Sequence, residues 1–229
     1  MIDIPLTVAC VLVKGEYPYT PEYVRRLLAM VRRHLARPFR FVCLTDQPHA
    51  MPAGVEAVEV ARLPECFALW TKLRLFEHDR AWGGRVLYLD LDTLIVAPLD
   101  PIVDYPAPFA LAADELAAER PRIDTDRYGR RLVRRFNGSV MVWDAGTQGR
   151  LFDTWTPASA ASLSTDQDWI GEQAHDAAGL PVEWFPRISR VQPPWPAEAK
   201  VVLVKKPKNH EAVLRWPWFD AAWGGQAQP

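Results

Sequence analysis

The sequence predicts an α/β fold with a mainly parallel central sheet flanked by helices, and three observations carry that expectation. Leu6 to Val13 (LTVACVLV) is an unbroken apolar run stopped at Lys14-Gly15, as expected of a strand buried on both faces. Thr20-Pro21-Glu22 then opens a helix, and Phe39 to Leu44 is a second strand closed by Thr45-Asp46. Strand, helix, strand in that order implies a right-handed crossover and parallel neighbours, with ligands bound beyond the carboxyl ends of the strands. Lys14 to Tyr19 and Thr45-Asp46 fall on that rim.

The elements follow in order. Thr20 as N-cap and Pro21 at the first helical position agree with helix-start chemistry, and Val24, Leu27, Leu28, Val31 and Leu35 form an apolar stripe at helical spacing. Val55 to Val60 is a third strand with weaker alternation, and Phe67 to His78 carries Leu69, Leu73, Leu75 and Phe76 at helical spacing around Lys72. After the Gly83-Gly84 turn comes the strand Arg85 to Leu89, which runs into Asp90-Leu91-Asp92. Phe109 to Ala112 and Val140 to Trp143 are further strands, Asp166 begins a helix that Ser164 or Thr165 can cap, and Val201 to Val204 is a last short strand. One domain over residues 1–223 is expected, with 224–229 a frayed tail and no internal repeat.

Composition narrows the function. Hydrophobic residues make up 49% of the 229 and charged residues 24%, enough for a sizeable core. Lys+Arg 27 against Asp+Glu 28 leaves a charge of -1, which gives no global field for nucleic acid. The apolar runs are far short of the ~20 residues of a membrane span. Met1-Ile2-Asp3 also lacks a basic leader, so a cytoplasmic location is expected. Cys10, Cys43 and Cys66 have no metal or disulfide spacing and read as buried small hydrophobes. The ten Trp are expected to be mostly core, although a sugar site could use some. The dense basic stretch Arg120, Arg122, Arg127, Arg130, Arg131, Arg134, Arg135 is expected on a solvated helix face, the other option being contact with donor phosphate or an anionic acceptor.

The chemistry centres on Asp90-Leu91-Asp92. If the strand continues through Asp92, both carboxylates share one face while Leu91 packs behind them. Two such acids repel, and a cation is the natural way to hold them; oxygen-only ligation favours Mg²⁺ or Mn²⁺. The alternative is that they cap a turn or pair with an arginine such as Arg85. Asp90-Leu91-Asp92-Thr93 also fits the DxDxT of haloacid-dehalogenase-type phosphatases, but it lies deep in the chain and no downstream Lys with paired Asp completes that site.

The opening strand, Phe41-Val42-Cys43-Leu44-Thr45-Asp46, the Trp70-to-Phe76 helix, the Leu87-to-Asp92 strand, Phe136-Asn137-Gly138-Ser139-Val140-Met141-Val142-Trp143 and Asp166-Gln167 together resemble nucleotide-sugar glycosyltransferases of the GT-A fold. They are most similar to family 8 and its bacterial relatives, from about Thr7 to about Lys208. The resemblance implies a single GT-A-like, Rossmann-like domain that transfers a sugar from a nucleoside diphosphate, UDP favoured, to a saccharide or small-molecule acceptor. It implies Mn²⁺ or Mg²⁺ on Asp90 and Asp92, a nucleotide-base pocket at Ala9, Cys10, Lys14 and Tyr17, and Lys72 near the phosphates. Asp114, Asn137 and Gly138 would hold the donor sugar, Asp166 and Gln167 would sit beside the anomeric carbon, and retention of configuration follows by analogy.

The residue types suit that chemistry. A metal and a cation neutralise charge developing on a diphosphate leaving group, and a carboxylate or amide oxygen steadies an oxocarbenium-like centre. The relatives carry a His-Gly pair, then Lys and Pro, after the last strand. Here Val204 and Lys205 fall at the His and Gly, so His210 is the replacement candidate for the metal and Lys205, Lys206 or Lys208 for the phosphates. A Pro/Trp-rich C-terminal cap over the acceptor side is expected. The alternative function is a catalytically degenerate nucleotide- or carbohydrate-binding protein.

Overall fold

The computed structural model describes residues 5–15, 17–64, 66–77, 79–114 and 123–204. Eleven strands are present there: β1 (Leu6–Leu12), β2 (Arg40–Thr45), β3 (Glu56–Glu59), β4 (Arg85–Leu89), β5 (Thr93–Ile95), β6 (Phe109–Ala113), β7 (Ile123–Thr125), β8 (Arg131–Val133), β9 (Phe136–Asp144), β10 (Ala178–Leu180) and β11 (Val201–Leu203). The helices are α1 (Pro21–His34), α2 (Arg74–Glu77), α3 (Asp79–Trp82), α4 (Asp100–Val103), α5 (Arg150–Asp153), α6 (Pro157–Ser162) and α7 (Asp166–Gln173).

Seven strands form the central sheet in the order β10-β6-β9-β4-β1-β2-β3. The β1–β2, β1–β4, β2–β3 and β10–β6 pairs are parallel, and β9 runs antiparallel to both β4 and β6. The fold is therefore α/β with a mixed, mostly parallel sheet. Its inner strands are mainly apolar because each face packs on a layer: Leu6, Val8, Cys10 and Leu12 of β1 join the core under α1, while Ala9 joins the opposite core with Trp70 and Phe76. In β4 the same alternation sends Leu87 and Leu89 one way and Val86 and Tyr88 the other. Cys10 and Cys43 are buried and Cys66 is half-buried.

α1 buries Val24, Leu27, Leu28 and Val31 of the apolar stripe read from the sequence together with Met30, Leu35 of that stripe is the C-cap, and the N-cap Thr20 is extended and makes no side-chain cap bond. Three expectations are corrected. Phe67 to His78 is not one helix: Ala68–Leu73 is 3-10, followed by α2 and, from Asp79, α3. Trp70 and Leu73 are both buried, and three-residue spacing stacks side chains in a 3-10 turn where it would fan them in an α-helix. β4 stops at Leu89, so Asp90-Leu91-Asp92 is a turn into β5. The Asp90 N–H takes the Ser139 carbonyl as the last rung of the ladder (2.8 Å), and the Thr93 hydroxyl then closes on the Asp90 carbonyl (2.8 Å). Finally, the described part of the basic stretch is not a helix face but the β7–β8 hairpin and the turn from β8 into β9.

β5 pairs with β11 outside the main sheet, and the Val204 N–H continues to the Asp92 carbonyl at 3.3 Å. The acidic turn is thus clamped between the sheet and the last described residue. Trp184 stacks on Phe185 and Tyr105 and packs on the core. Most of the expected C-terminal cap, with Lys205, Lys206, Lys208 and His210, lies outside the described residues.

Candidate active site

A cavity of about 330 Å³ opens beyond the carboxyl ends of β1 and β4. Val11, Val13, Gly15 and Tyr17 reach it from β1 and the loop after it, Asp90 to Asp92 from the acidic turn, and Ala68, Leu69 and Lys72 from the 3-10 segment. Ser139 comes from β9, and Thr165, Asp166 and Gln167 come from the start of α7. The wall therefore joins an apolar and aromatic part to a cluster of charges, the combination a ligand with a planar base and an anionic group would need.

Lys72 organises the charges. Its Nζ lies 3.0 Å from Asp90 Oδ1 and 3.1 Å from Asp166 Oδ2, donates to the Gly138 carbonyl at 3.2 Å, and sits 5.2 Å above the Tyr88 ring. Burial disfavours the ammonium, yet Asp166 and Asp90 outweigh it and hold the lysine above its ordinary range. The Tyr88 hydroxyl donates to Asp90 and the Tyr19 hydroxyl to Asp92 Oδ2 (3.0 Å). Burial, reinforced by those carboxylates, raises both phenols. Burial also raises Asp92, with the Asp90 charge adding to it, to about 6. Asp166 is raised by burial in spite of Lys72.

A bulge in the β6–β9 pairing, where Leu111 faces Met141 but Ala112 faces Asn137, frees Gly138 from the ladder. Its N–H donates to Gln167 Oε1 at 3.2 Å while its carbonyl takes Lys72. Asn137 and Gly138 thus belong to a strand, not to the turn that Asn-Gly suggests. A Cβ at Gly138 would meet Gln167 and Lys72 at 3.6 Å, so the position is close to both without being sealed.

The structure gathers Asp90, Asp92, Lys72, Asp166, Gln167 and Tyr17 around one cavity, and Gly138 is hydrogen-bonded to Lys72 and Gln167 of its wall. Ala9 and Cys10 are fully buried within β1, and Val11 and Val13 line the cavity in their place. The Lys14 N–H bonds Asp46, Asp114 pairs with Arg187 at 2.8 Å, and Asn137 Oδ1 accepts the Ser139 N–H at 2.9 Å. None of these three lines the cavity. Sequence reasoning left out Tyr88, Ser139 and Thr165 as site residues and placed Tyr19 only on the ligand-binding rim. Tyr88 was findable, because it stands two residues before Asp90 and shares its strand face.

Three carboxylates, Asp90, Asp92 and Asp166, against the one ammonium of Lys72 leave -2 in the cavity when all are ionised, and the Asp90 charge adds to the burial that raises Asp92. Among the described residues no group of three or more His, Cys, Asp or Glu could hold a metal alone. The all-oxygen pair Asp90 and Asp92 fits a divalent ion whose remaining positions are filled by phosphate and water. Val204, where the resemblance puts histidine, is a buried aliphatic side chain.

No family model matches the chain, and no curated protein matches it in sequence. Among solved structures it is similar to the crystal structure of galactosyltransferase LgtC in complex with donor and acceptor sugar analogs, at a TM-score of 0.65 and 15% identity, covering 97% of each chain. The chain has the GT-A fold of that family 8 enzyme. No helix among the described residues is long and apolar enough to cross a membrane.

Proposed function

We propose that the protein is a glycosyltransferase that moves a sugar from a nucleoside diphosphate, UDP most favoured, to a saccharide or small-molecule acceptor. The observation that carries this reading is the meeting of Asp90 and Asp92 with the Lys72–Asp166–Gln167 cluster in one cavity of this fold. The apolar wall and Tyr17 suit a nucleobase, and the acidic turn faces the same space.

Asp90 and Asp92 would hold Mn²⁺ or Mg²⁺, which supplies neutralisation of the charge that develops on the diphosphate as the glycosidic bond breaks. The chain's own residues do the rest. Lys72 balances Asp90 and Asp166 and brings a fixed positive charge to the cavity. Gly138 fixes the Gln167 amide through its N–H, so the amide oxygen is presented without reorganisation. Asp166, at the start of α7, supplies a buried carboxylate for an electron-poor anomeric carbon. Tyr19 and Tyr88 orient the metal-binding carboxylates through their hydroxyls.

Thermal unfolding with UDP, with and without Mn²⁺, tests the donor site. A ligand at about 100 times its dissociation constant adds about 2.7 kcal/mol, or about 5–10 °C for a chain of this length. The reading expects UDP to stabilise with Mn²⁺ and UDP to be released from UDP-sugars; no shift with any nucleotide overturns it. The buried Val204 favours one second reading, a nucleotide- or carbohydrate-binding protein that kept the site without turnover. That protein would show the UDP shift yet release no UDP from donors even at high protein concentration.

A further inference from the structure

The two acids of the turn have different partners. Asp90 takes the Tyr88 hydroxyl and the Lys72 ammonium, whereas Asp92 Oδ2 takes the Tyr19 hydroxyl at 3.0 Å. Tyr19 belongs to the loop that follows β1, which also brings Gly15 and Tyr17 to the cavity wall, and Tyr19 lines the cavity with them. One side chain therefore reaches from the aromatic part of the cavity to its acidic turn.

The ring of Tyr19 touches two others. Tyr17 packs on it at 5.7 Å between centroids with 32° between the planes, and Tyr23 meets it edge-on at 5.0 Å and 66°. Both separations fall in the range of attractive aromatic pairs. Tyr23 stands in the first turn of α1, its N–H bonded to the Thr20 carbonyl at 2.9 Å, and Tyr19 and Tyr23 both pack on the core under that helix. Tyr17, by contrast, is 41% exposed and faces the cavity. The row thus runs from a ring fixed on the helix, through Tyr19, to an exposed ring where a planar base can stack. The ring and the hydroxyl of a tyrosine ride on the same two χ angles, so whatever holds the Tyr19 ring also sets where its hydroxyl reaches. A base pressed on Tyr17 therefore bears on the side chain that orients Asp92.

We infer that Tyr19 is a positioning residue that couples the nucleobase to the divalent ion: its ring seats Tyr17 for the base, its hydroxyl aims Asp92 at the ion, and a nucleotide with its ion gains more than the two contacts would give separately. The inference rests on the nucleotide reading of the cavity and adds to it a link between the two ends.

The test uses two probes on the whole protein: uridine, which carries the base without phosphates, titrated in chelator by ligand-observed NMR, and UDP titrated by calorimetry over a series of Mn²⁺ concentrations. Wild type is compared with Tyr19→Phe, Tyr17→Ala and the double variant. Tyr19→Phe keeps the ring and loses the hydroxyl. It should leave uridine affinity within about twofold, while the Mn²⁺ needed for half of the gain in UDP affinity rises about tenfold or more, as when a metal-binding carboxylate loses its outer partner. Tyr17→Ala should weaken uridine about fivefold or more, the low end for a base stacked on an aromatic ring. The coupling is read from the cycle: once the Tyr19 hydroxyl is gone, Tyr17→Ala should cost UDP with Mn²⁺ at least about twofold less than it does in wild type. A loss of uridine affinity in Tyr19→Phe as large as its loss of Mn²⁺ response makes Tyr19 merely structural, and an unchanged Mn²⁺ response removes its hold on Asp92. Losses that simply multiply in the double variant remove the coupling, and any one of these three results overturns the proposal. UDP bound by wild type alongside such a result leaves the nucleotide reading standing, whereas wild type that binds neither uridine nor UDP removes that reading and the coupling with it.

Discussion

Replacing Lys72 with methionine keeps the aliphatic stem and removes the one ammonium that balances the cavity's carboxylates. Its contacts to Asp90 and Asp166, at 3.0 and 3.1 Å, are each worth about 5 kcal/mol gross at an effective dielectric constant near ~20. The cost of burying the ammonium cancels more than half of that sum, so the expected net loss is the about 3–5 kcal/mol typical of breaking a buried pair from one side. At about 2–4 °C per kcal/mol for a chain of this length, the lower end alone drops the Tm by about 6–12 °C. The sign with pH follows from the carboxylates, since the lysine stays charged at neutral and acidic pH. Asp92 and Asp166 are already raised by burial, so acid lets them neutralise and relieves the variant of its uncompensated charge. Thermal unfolding of wild type and Lys72→Met in chelator, at about pH 8 and about pH 5, should therefore show a large gap that narrows on acidification. Mn²⁺ should recover part of the gap at the higher pH by supplying the missing charge. A Tm within about 2 °C of wild type at the higher pH, or the same loss at both, would refute the counter-ion role.

Three further perturbations separate function from stability. Asp92→Asn should abolish the Mn²⁺-dependent UDP shift. In chelator it should also remove a fall in stability, because a carboxyl raised to about 6 against 3.8 favours the folded state below the lower value and loses that advantage as pH rises through about 6. Denaturation in chelator across that window, with wild type falling more steeply than the variant, in which the raised Asp166 still titrates, is the check. Gly15→Ala would place a Cβ 2.1 Å from the Ala68 Cβ, so the 3-10 wall must shift; UDP affinity measured by titration should fall at least several-fold while the protein stays folded. Arg85→Met removes a buried guanidinium that donates to the Val103, Tyr105 and Ala107 carbonyls and to Asp144. It should cost about 3 kcal/mol in urea denaturation and leave nucleotide binding of the folded protein intact, since it lies on the opposite edge of the sheet.

Apolar runs longer than their periodicity could hide were legible: β1, β2, β4, β6 and the Val140 to Trp143 half of β9 read directly, because a strand covered on both faces leaves few polar residues to blur it. The short strands β5, β7, β8 and β10 were missed, each only three residues long; β5 and β10 are fixed by partners far away in sequence, β11 and β6, and β7 and β8 only by each other. The 3-10 stretch was read as α-helix because Trp70, Leu73 and Phe76 fit either pattern in one dimension, and only the packing of Trp70 and Leu73 on the sheet decides. At the site, Asp90 and Asp92 were named from residue type and spacing, and Lys72, Asp166 and Gln167 from the family resemblance. What linked them was not legible: a bulge that turns Gly138 toward both Lys72 and Gln167, and two tyrosines whose hydroxyls reach across the fold to the acids.

Those links also explain why such a cluster survives in a folded protein. Three acids around one lysine are a poor choice for stability alone, since well-packed apolar side chains of similar volume would serve a core as well or better. The chain meets the difficulty locally: Lys72 takes two of the carboxylates, Tyr19 and Tyr88 donate to Asp92 and Asp90, and the Asp90 backbone is pinned to Ser139 and Thr93. What is left over is a buried negative surplus, in which burial first and the Asp90 charge second raise Asp92, and it stands in a cavity open enough to admit a ligand. A divalent ion arriving with a diphosphate would bring charge of the sign the apo site lacks, so binding energy would come from relieving a strain that folding created. On that account the destabilising feature and the functional one are the same carboxylate. The Asp92→Asn variant should accordingly be the more stable protein in chelator at neutral pH and the weaker binder of UDP with Mn²⁺.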